Sequence, residues 1–382
     1  MQAFGWRFAA ISMAVLVSAC GGGDGDKAHF TTVVSFGDSY SDAGTYKVGT
    51  VAALGGGKFT VNGPDGLTWT EVLAKTVGAP AQCAAQTGML PNNGTTGAPV
   101  RDSASCYNYA QGSARIGSSG TGPNGVALQA ALGQKNLGFM AISLKEQFQA
   151  HLAKAGGYYR TDLVTVNGGG NDVFVQLAAV DAAAGGGAAA VATGTVAGWP
   201  QATLDVVAQG GAPAVQAVGA AAVAAMGQAG AELAADINAL VLAKRARYVL
   251  VRNLGDINVT PDGLALDAAT RGLVTAMTQA FNSKLGSGLA GSTGVIVYDD
   301  YQTSHDITAD PAKFGLSNVT TPACGPNAFG QPVGPSIVCN AGNLIGGDTS
   351  RYAFADGVHP TPYVHRLTAQ RVMTLMQQAG WQ

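Results

Sequence analysis

Short apolar, β-branched runs that end in glycine or asparagine turns alternate along this chain with longer stretches whose apolar positions fall three and four apart. Thr31-Thr32-Val33-Val34-Ser35-Phe36, Asp162-Leu163-Val164-Thr165-Val166 and Arg247 to Leu254 read as buried strands, and Gly294 to Asp299 as a further strand. Cys106 to Ala110 reads as one more, shorter strand. Between them, residues 143–155 open with a serine cap and place Leu144, Phe148 and Leu152 on one helical face. Helices are also expected over 68–75, 172–184, 231–243, 266–285 and 360–379, the last with Leu367, Val372 and Leu375 inward. Strand-helix alternation of this kind predicts an α/β protein, a three-layer αβα sandwich around a central, mostly parallel sheet.

The remaining stretches lack either period. Residues 46–66 read as a Gly-rich loop, 81–105 as irregular turns, and 303–352 as a long loop excursion of the kind that is functional or stapled. Residues 181–235 are almost wholly small, and the glycines at 185–187 and 210–211 should break them into two or three helices with mobile joints. No heptad seam runs through them, which excludes a coiled coil.

Composition adds compartment and partners. The chain has 382 residues, 47% hydrophobic and 12% charged, with a net charge of −2, enough for one large core. No Lys/Arg run marks a nucleic-acid surface. Residues 1–20 read as an export signal, with Arg7 followed by the apolar stretch Phe8 to Ala19, too short to span a bilayer. Val17-Ser18-Ala19-Cys20 resembles a bacterial lipobox, which implies an acylated Cys20, a membrane anchor, and a flexible tether over 21–29 ahead of a folded unit from 30 to 382. Glycine after Cys20 implies sorting to the outer membrane; an ordinary cleaved signal is the alternative. Of the five cysteines, Cys83, Cys106, Cys324 and Cys339 remain, an even set suited to an oxidising compartment. Three pairings are open, and proximity favours Cys83 with Cys106 and Cys324 with Cys339. None has the spacing of a metal site.

The candidate chemistry starts at the end of the first strand, where Gly37-Asp38-Ser39-Tyr40-Ser41-Asp42-Ala43-Gly44 delivers Ser39 to the edge at which parallel sheets open a crevice. A serine hydroxyl needs a base within hydrogen-bond reach. His359 is the best candidate, and Asp356, three residues earlier, can orient it. Asn171, placed by the glycine turn 168–170, and the amide of Ser39 are donors for an oxyanion. Each signal has a plainer reading: Ser39 as a turn residue, Asn171-Asp172 as a helix cap, Asp38 as a structural hydrogen-bonder. Asp172 is expected to cap. His29, His151 and His365 lack motif partners, and His305 beside Asp306 is the rival base. No Gly-Lys-Ser/Thr phosphate loop, Gly-x-Ser-x-Gly elbow or His-Glu-x-x-His motif occurs.

The segments also resemble, in order, the four signature blocks of the GDSL, or SGNH, hydrolases: Gly37-Asp38-Ser39 to Gly44, Asn108 to Ala114, the turn at Asn171, and Asp356-Gly357-Val358-His359-Pro360-Thr361. Tyr40 stands where the family usually has leucine, and Ser113 where it has the second glycine of Asn-x-Ala-x-Gly-Gly. Residues 249–261 resemble a segment of the longer, plant-type and lipolytic members. The resemblance implies a flavodoxin-like sandwich and cofactor-free, metal-free hydrolysis of a small-molecule or lipid ester. It adds the amide of Gly112 or of Ser113 to the oxyanion donors. A carbohydrate deacetylase, a phospholipase or a polyester hydrolase would carry the same blocks, and an inert glycan- or lipid-binding surface lipoprotein is the reading from another class.

Overall fold

The computed structural model describes residues 28–90, 96–117 and 140–381. Residues 1–20, with Cys20, and the tether as far as Lys27 lie outside the described residues. In chain order the elements are β1 (Thr32–Phe36), α1 (Gly49–Ala53), α2 (Trp69–Thr76), β2 (Gln86–Met89), β3 (Ala98–Asp102), α3 (Leu144–Ala155), β4 (Asp162–Val166) and α4 (Gly170–Ala183). They continue with α5 (Gly187–Val196), α6 (Gln201–Gln209), α7 (Gly211–Asp236), β5 (Tyr248–Arg252), α8 (Pro261–Leu264), α9 (Ala268–Leu289), β6 (Val295–Tyr298), α10 (Asp300–Ala309) and α11 (Pro362–Gln378).

Four of the predicted strands form one parallel sheet in the order β1-β4-β5-β6, with β6 its half-exposed edge. Cys106 to Ala110 joins its edge through a single parallel bridge, Ser35 to Asn108. Side chains alternate across this sheet as the pleat requires. Val34, Phe36, Val164, Val166, Val249 and Val251 enter the larger core beneath α3, α4, α7 and α9. Val33, Leu163, Leu250 and Tyr298 enter a second core beneath α2 and α11. The sandwich is therefore three-layered, as expected, and each fully buried Val or Leu contributes about 1.5–3 kcal/mol. Capping boxes start two of the flanking helices, Thr68 with Glu71 for α2 and Ser143 with Glu146 for α3.

Several expectations are corrected. Residues 81–105 are not irregular throughout: β2 and β3 pair antiparallel, Gln86 opposite Asp102, with one β-branched residue in each, Thr87 and Val100, too few to announce a strand. The stretch 46–66 contains α1, and the excursion from 303 begins inside α10, whose cap is Asp299 accepting from the Gln302 amide. In α11 the inward face is His365, Thr368, Ala369, Val372 and Met376, while Leu367 and Leu375 are half-buried. Val372 is inward as expected and Leu375 packs against the core from its margin, while a buried histidine and threonine join the stripe.

The Ala/Gly region folds as α5, α6 and α7 around a small core of their own with the outer part of α4, and no strand contributes to it. Gly186, Gly187, Gly210 and Gly211 all have left-handed φ, between 64° and 76°. The two joints lie together, since a Cβ on Gly186 would stand 2.8 Å from the Gly210 Cα, and the Gly211 amide donates to Ala184 O at 3.1 Å. At the far end of this hairpin the Trp199 indole donates to Gln176 Oε1 at 2.7 Å, which latches it to α4.

Both disulfides follow the pairing that proximity favoured, Cys83–Cys106 and Cys324–Cys339. The second staples the excursion, and the Cys324 amide donates to Ala355 O at 2.8 Å. With 15 residues of separation, its removal in a Cys324→Ser/Cys339→Ser variant is expected to lower the unfolding free energy by about 3 kcal/mol, read as a reduced urea midpoint.

Candidate active site

β1 and β4 end side by side, Phe36 opposite Val166, and the chain turns sharply after each. Gly37 is required in the first turn: a Cβ there would meet Asn167 Oδ1 at 2.2 Å. The turn is then braced from beneath. Asp38 Oδ1 accepts from the Tyr40 amide at 3.1 Å and from Asn167 Nδ2 at 2.7 Å. Ser41 Oγ donates to Asn167 Oδ1 and accepts from the Trp69 indole at 3.0 Å. Burial raises the Asp38 carboxyl above its ordinary range, opposed by these donors and by Arg252. Asp38 is a structural brace, as the plainer reading held.

On this turn Ser39 Oγ lies 2.9 Å from His359 Nε2, across 320 residues of sequence. His359 Nδ1 lies 2.9 Å from both Asp356 oxygens. In the tautomer that Asp356 selects, Nδ1–H donates to the carboxylate and Nε2 accepts from the serine hydroxyl. Asp356 also accepts from the amides of Ser336 at 2.8 Å and His359 at 2.8 Å. Burial alone would disfavour both charges. The facing imidazole and these donors nevertheless hold Asp356 well below the usual carboxylate range, and Asp356 in turn raises His359.

The histidine loop is gripped by its carbonyls. Ala355 O accepts from Cys324 N, Gly357 O from Asp262 N, Val358 O from the Tyr40 hydroxyl and Pro360 O from Thr60 Oγ1, all between 2.8 and 2.9 Å. Each donor comes from a different part of the chain. Sequence reasoning found none of these anchors, because a carbonyl partner leaves no mark on residue type.

The two candidate oxyanion amides have different surroundings. Gly112 N donates to Asp42 Oδ2 at 2.9 Å, and burial pushes the Asp42 carboxyl up to about 6 despite that bond and those from Thr45 and Gly44. Ser113 N has no acceptor among the described residues, and neither has Ser39 N. Ser113 sits at φ 72°, the left-handed conformation that glycine adopts freely. Asn171 Nδ2 donates to Ala114 O at 2.9 Å, which fixes the amide plane beside this loop. Asp172 does not cap α4, as had been expected: its carboxylate accepts from Arg115 Nε at 3.0 Å and Ile116 N at 3.2 Å, and Gly169 occupies the cap position. The buried guanidinium outcompetes the helix terminus.

The rival histidines stand elsewhere. His305 Nε2 pairs with Asp256 at 3.0 Å, not with a serine. His151 is buried against the Tyr158 ring, 4.4 Å between centroids, and burial lowers it to about 4. His365 Nδ1 accepts from the Trp69 amide, and burial lowers it too. His29 is exposed.

Ser39, Ser113, Asn171 and His359 line a cavity of about 700 Å³. Its apolar wall comes from Phe174 and Leu177 on α4, Leu254 and Ile257 after β5, and Phe329 and Val333 in the excursion. The Ala/Gly helices contribute none of its lining, and residues 187–218 pack behind α4.

Comparison with known proteins points to one family. The family model described as GDSL-like lipase/acylhydrolase matches residues 33–372. Two curated proteins of Arabidopsis thaliana are similar over shorter stretches. GDSL esterase/lipase At1g20120 is 26% identical over 136 residues, 31% of this chain and 33% of that protein. GDSL esterase/lipase APG is 25% identical over 142 residues, 33% of this chain and 39% of that protein. The chain thus spans little more than a third of the length of the curated relatives it matches.

The His359–Asp356 pair has a pH signature. The His359 contribution to stability is complete below 6.5 and is lost as pH rises through its raised folded pKa. That of Asp356 is complete above 3.8 and is lost as pH falls through its depressed one. By NMR, His359 is expected to titrate above 6.5. Asp356→Asn removes the largest charge that raises it and leaves burial, opposed only by the more distant Asp38 and Asp262, so the titration should move to lower pH; an unmoved titration would contradict the pairing.

Proposed function

The chain belongs to the GDSL-like lipase/acylhydrolase family, and from that premise we propose that it is a serine esterase or lipase that cleaves acyl esters through an acyl-enzyme on Ser39. The observation that carries the proposal is the unbroken contact chain Ser39–His359–Asp356 at the wall of the cavity.

In this reading Ser39 Oγ attacks the ester carbonyl carbon while its proton passes to His359 Nε2. Asp356, already accepting from Nδ1–H, stabilises the imidazolium. The negative charge that develops on the carbonyl oxygen is met by the amides of Ser39 and Ser113 and by the second N–H of Asn171, with the Gly112 amide already committed to Asp42. Collapse returns the proton from Nε2 to the departing alcohol. Water, activated by the same imidazole, then releases the acid and restores Ser39. The apolar wall supplied by Phe174, Leu177, Leu254 and Leu266 suits the acyl chain.

We propose in addition that the protein is exported and anchored to the outer membrane through a lipid on Cys20, with an acyl ester or lipid as its substrate. The apolar stretch Phe8 to Ala19 ahead of Cys20 supports this. So do the two disulfides, which persist in oxidising compartments.

Hydrolysis of p-nitrophenyl esters from acetate to palmitate tests the reaction. Ser39→Ala is expected to lower kcat by roughly four to six orders of magnitude. Asn171→Ala should lower it by about two to three orders, with the fold retained. Turnover that survives in Ser39→Ala would refute the assignment of the nucleophile. A preference for acetate over every longer ester would move the substrate class from acyl lipid to an acetylated compound.

A further inference from the structure

The geometry points to Tyr40 as a positioning residue: its phenol, in the place where the family usually carries leucine, holds the histidine loop at working distance from the nucleophile turn. The inference rests on the serine mechanism above and concerns what keeps its two halves together.

Ser39 and His359 meet although 320 residues separate them. Among the described residues, two hydrogen bonds join the turn 37–44 to the loop 353–361. One is the catalytic contact itself. The other runs from the Tyr40 hydroxyl to Val358 O at 2.8 Å. Tyr40 directly follows the nucleophile, and Val358 directly precedes the base. The second bond therefore spans the same gap as the first, one residue away on each side.

The ring that carries this hydroxyl is itself fixed. The Arg252 guanidinium lies 4.4 Å from its centroid, and Arg252 is anchored by Asp300 at 2.7 Å. The Tyr40 amide donates to Asp38 Oδ1, so the backbone is braced as well. The imidazole of His359 stands 6.0 Å from the Tyr40 ring at 46°, close enough to feel a shift of the ring. Burial raises the phenol far above its ordinary pKa, so it remains a donor at every working pH. A leucine offers no donor to Val358 O and no face to Arg252.

The tie matters most when the catalytic hydrogen bond is absent. Once Ser39 is acylated it has no hydroxyl to offer, and His359 must stay in place to activate water. During that interval the Tyr40 bond is the direct link left between turn and loop. Loss of the hydroxyl should therefore slow turnover without weakening substrate binding, since Tyr40 grips protein and not substrate.

The test is Tyr40→Phe in the full chain, which removes one oxygen and keeps the ring. With p-nitrophenyl butyrate, kcat is expected to fall about fivefold, the net worth of one neutral hydrogen bond, while KM stays unchanged or falls in step with kcat, as slowed deacylation requires, and does not rise. The rate of Ser39 labelling by a fluorophosphonate should change less than kcat, because labelling does not need the deacylation step. Tyr40→Leu should lose at least as much kcat as Tyr40→Phe. A wild-type kcat in Tyr40→Phe, or a raised KM with kcat unchanged, would overturn the proposal. If Tyr40→Phe lost its near-UV spectrum, the same split measured in Tyr40→Leu would decide. Ser39→Ala separates the two readings: activity retained there removes the mechanism and this inference with it. Activity lost there but untouched by Tyr40→Phe removes the positioning role alone.

Discussion

The parallel register of β1 on β4 is the constraint from which the site follows. Phe36 faces Val166 at the last rung, so the turn carrying Ser39 and the turn leading to Asn171 leave the sheet at one level. A slip of one residue would exchange the faces of Val34 and Phe36 with that of Val33, which places polar Ser35 in the larger core. The apolar alternation thus sets both the layering and the height at which Ser39 emerges. Asn167, the first residue past β4, then locks the level by bonding Asp38 and Ser41 across the gap.

His359 reaches the same place by a different kind of constraint. No strand delivers His359; the loop 353–361 is suspended between other segments by hydrogen bonds to its carbonyls and by the stapled excursion next to it. A rigid sheet positions the serine, and many single contacts position the histidine. The cost of such a suspension is that its precision depends on residues far apart in the chain, Thr60, Asp262 and Cys324 among them. Their contribution is local geometry, since each is one neutral hydrogen bond of modest net strength.

What could be read in the sequence divides along the same line. Strands β1, β4 and β5 were legible because burial on both faces demands continuous apolar runs, and β6 carries such a run although it is the half-exposed edge strand. Ser39, Asn171, Asp356 and His359 were legible as reactive types at turns, and both cysteine pairs as near neighbours. The β2–β3 hairpin was not, because Gln86 to Met89 and Ala98 to Asp102 carry little β propensity and owe their pairing to tertiary context. Asp172 was misread for a related reason. A carboxylate in the first turn of a helix looks like a cap until a buried Arg115 is seen beside it. Nor can a sequence show that Asp42 has taken the Gly112 amide, which is what separates Ser113 from its neighbour.

The paired glycine joints of the α5–α6 hairpin have an evolutionary consequence. Chain enters and leaves the hairpin at one point, with the Gly186 and Gly210 backbones in contact. Everything between them is a graft on a closed junction. Its length and composition can drift, or the whole appendage can be exchanged, with little demand on the spacing of the ends it hangs from. Whatever is mounted there must still cover Val175, Ala179 and Ala183 of α4, but no sheet residue belongs to that core, so a new surface can be tried there without repacking the strands.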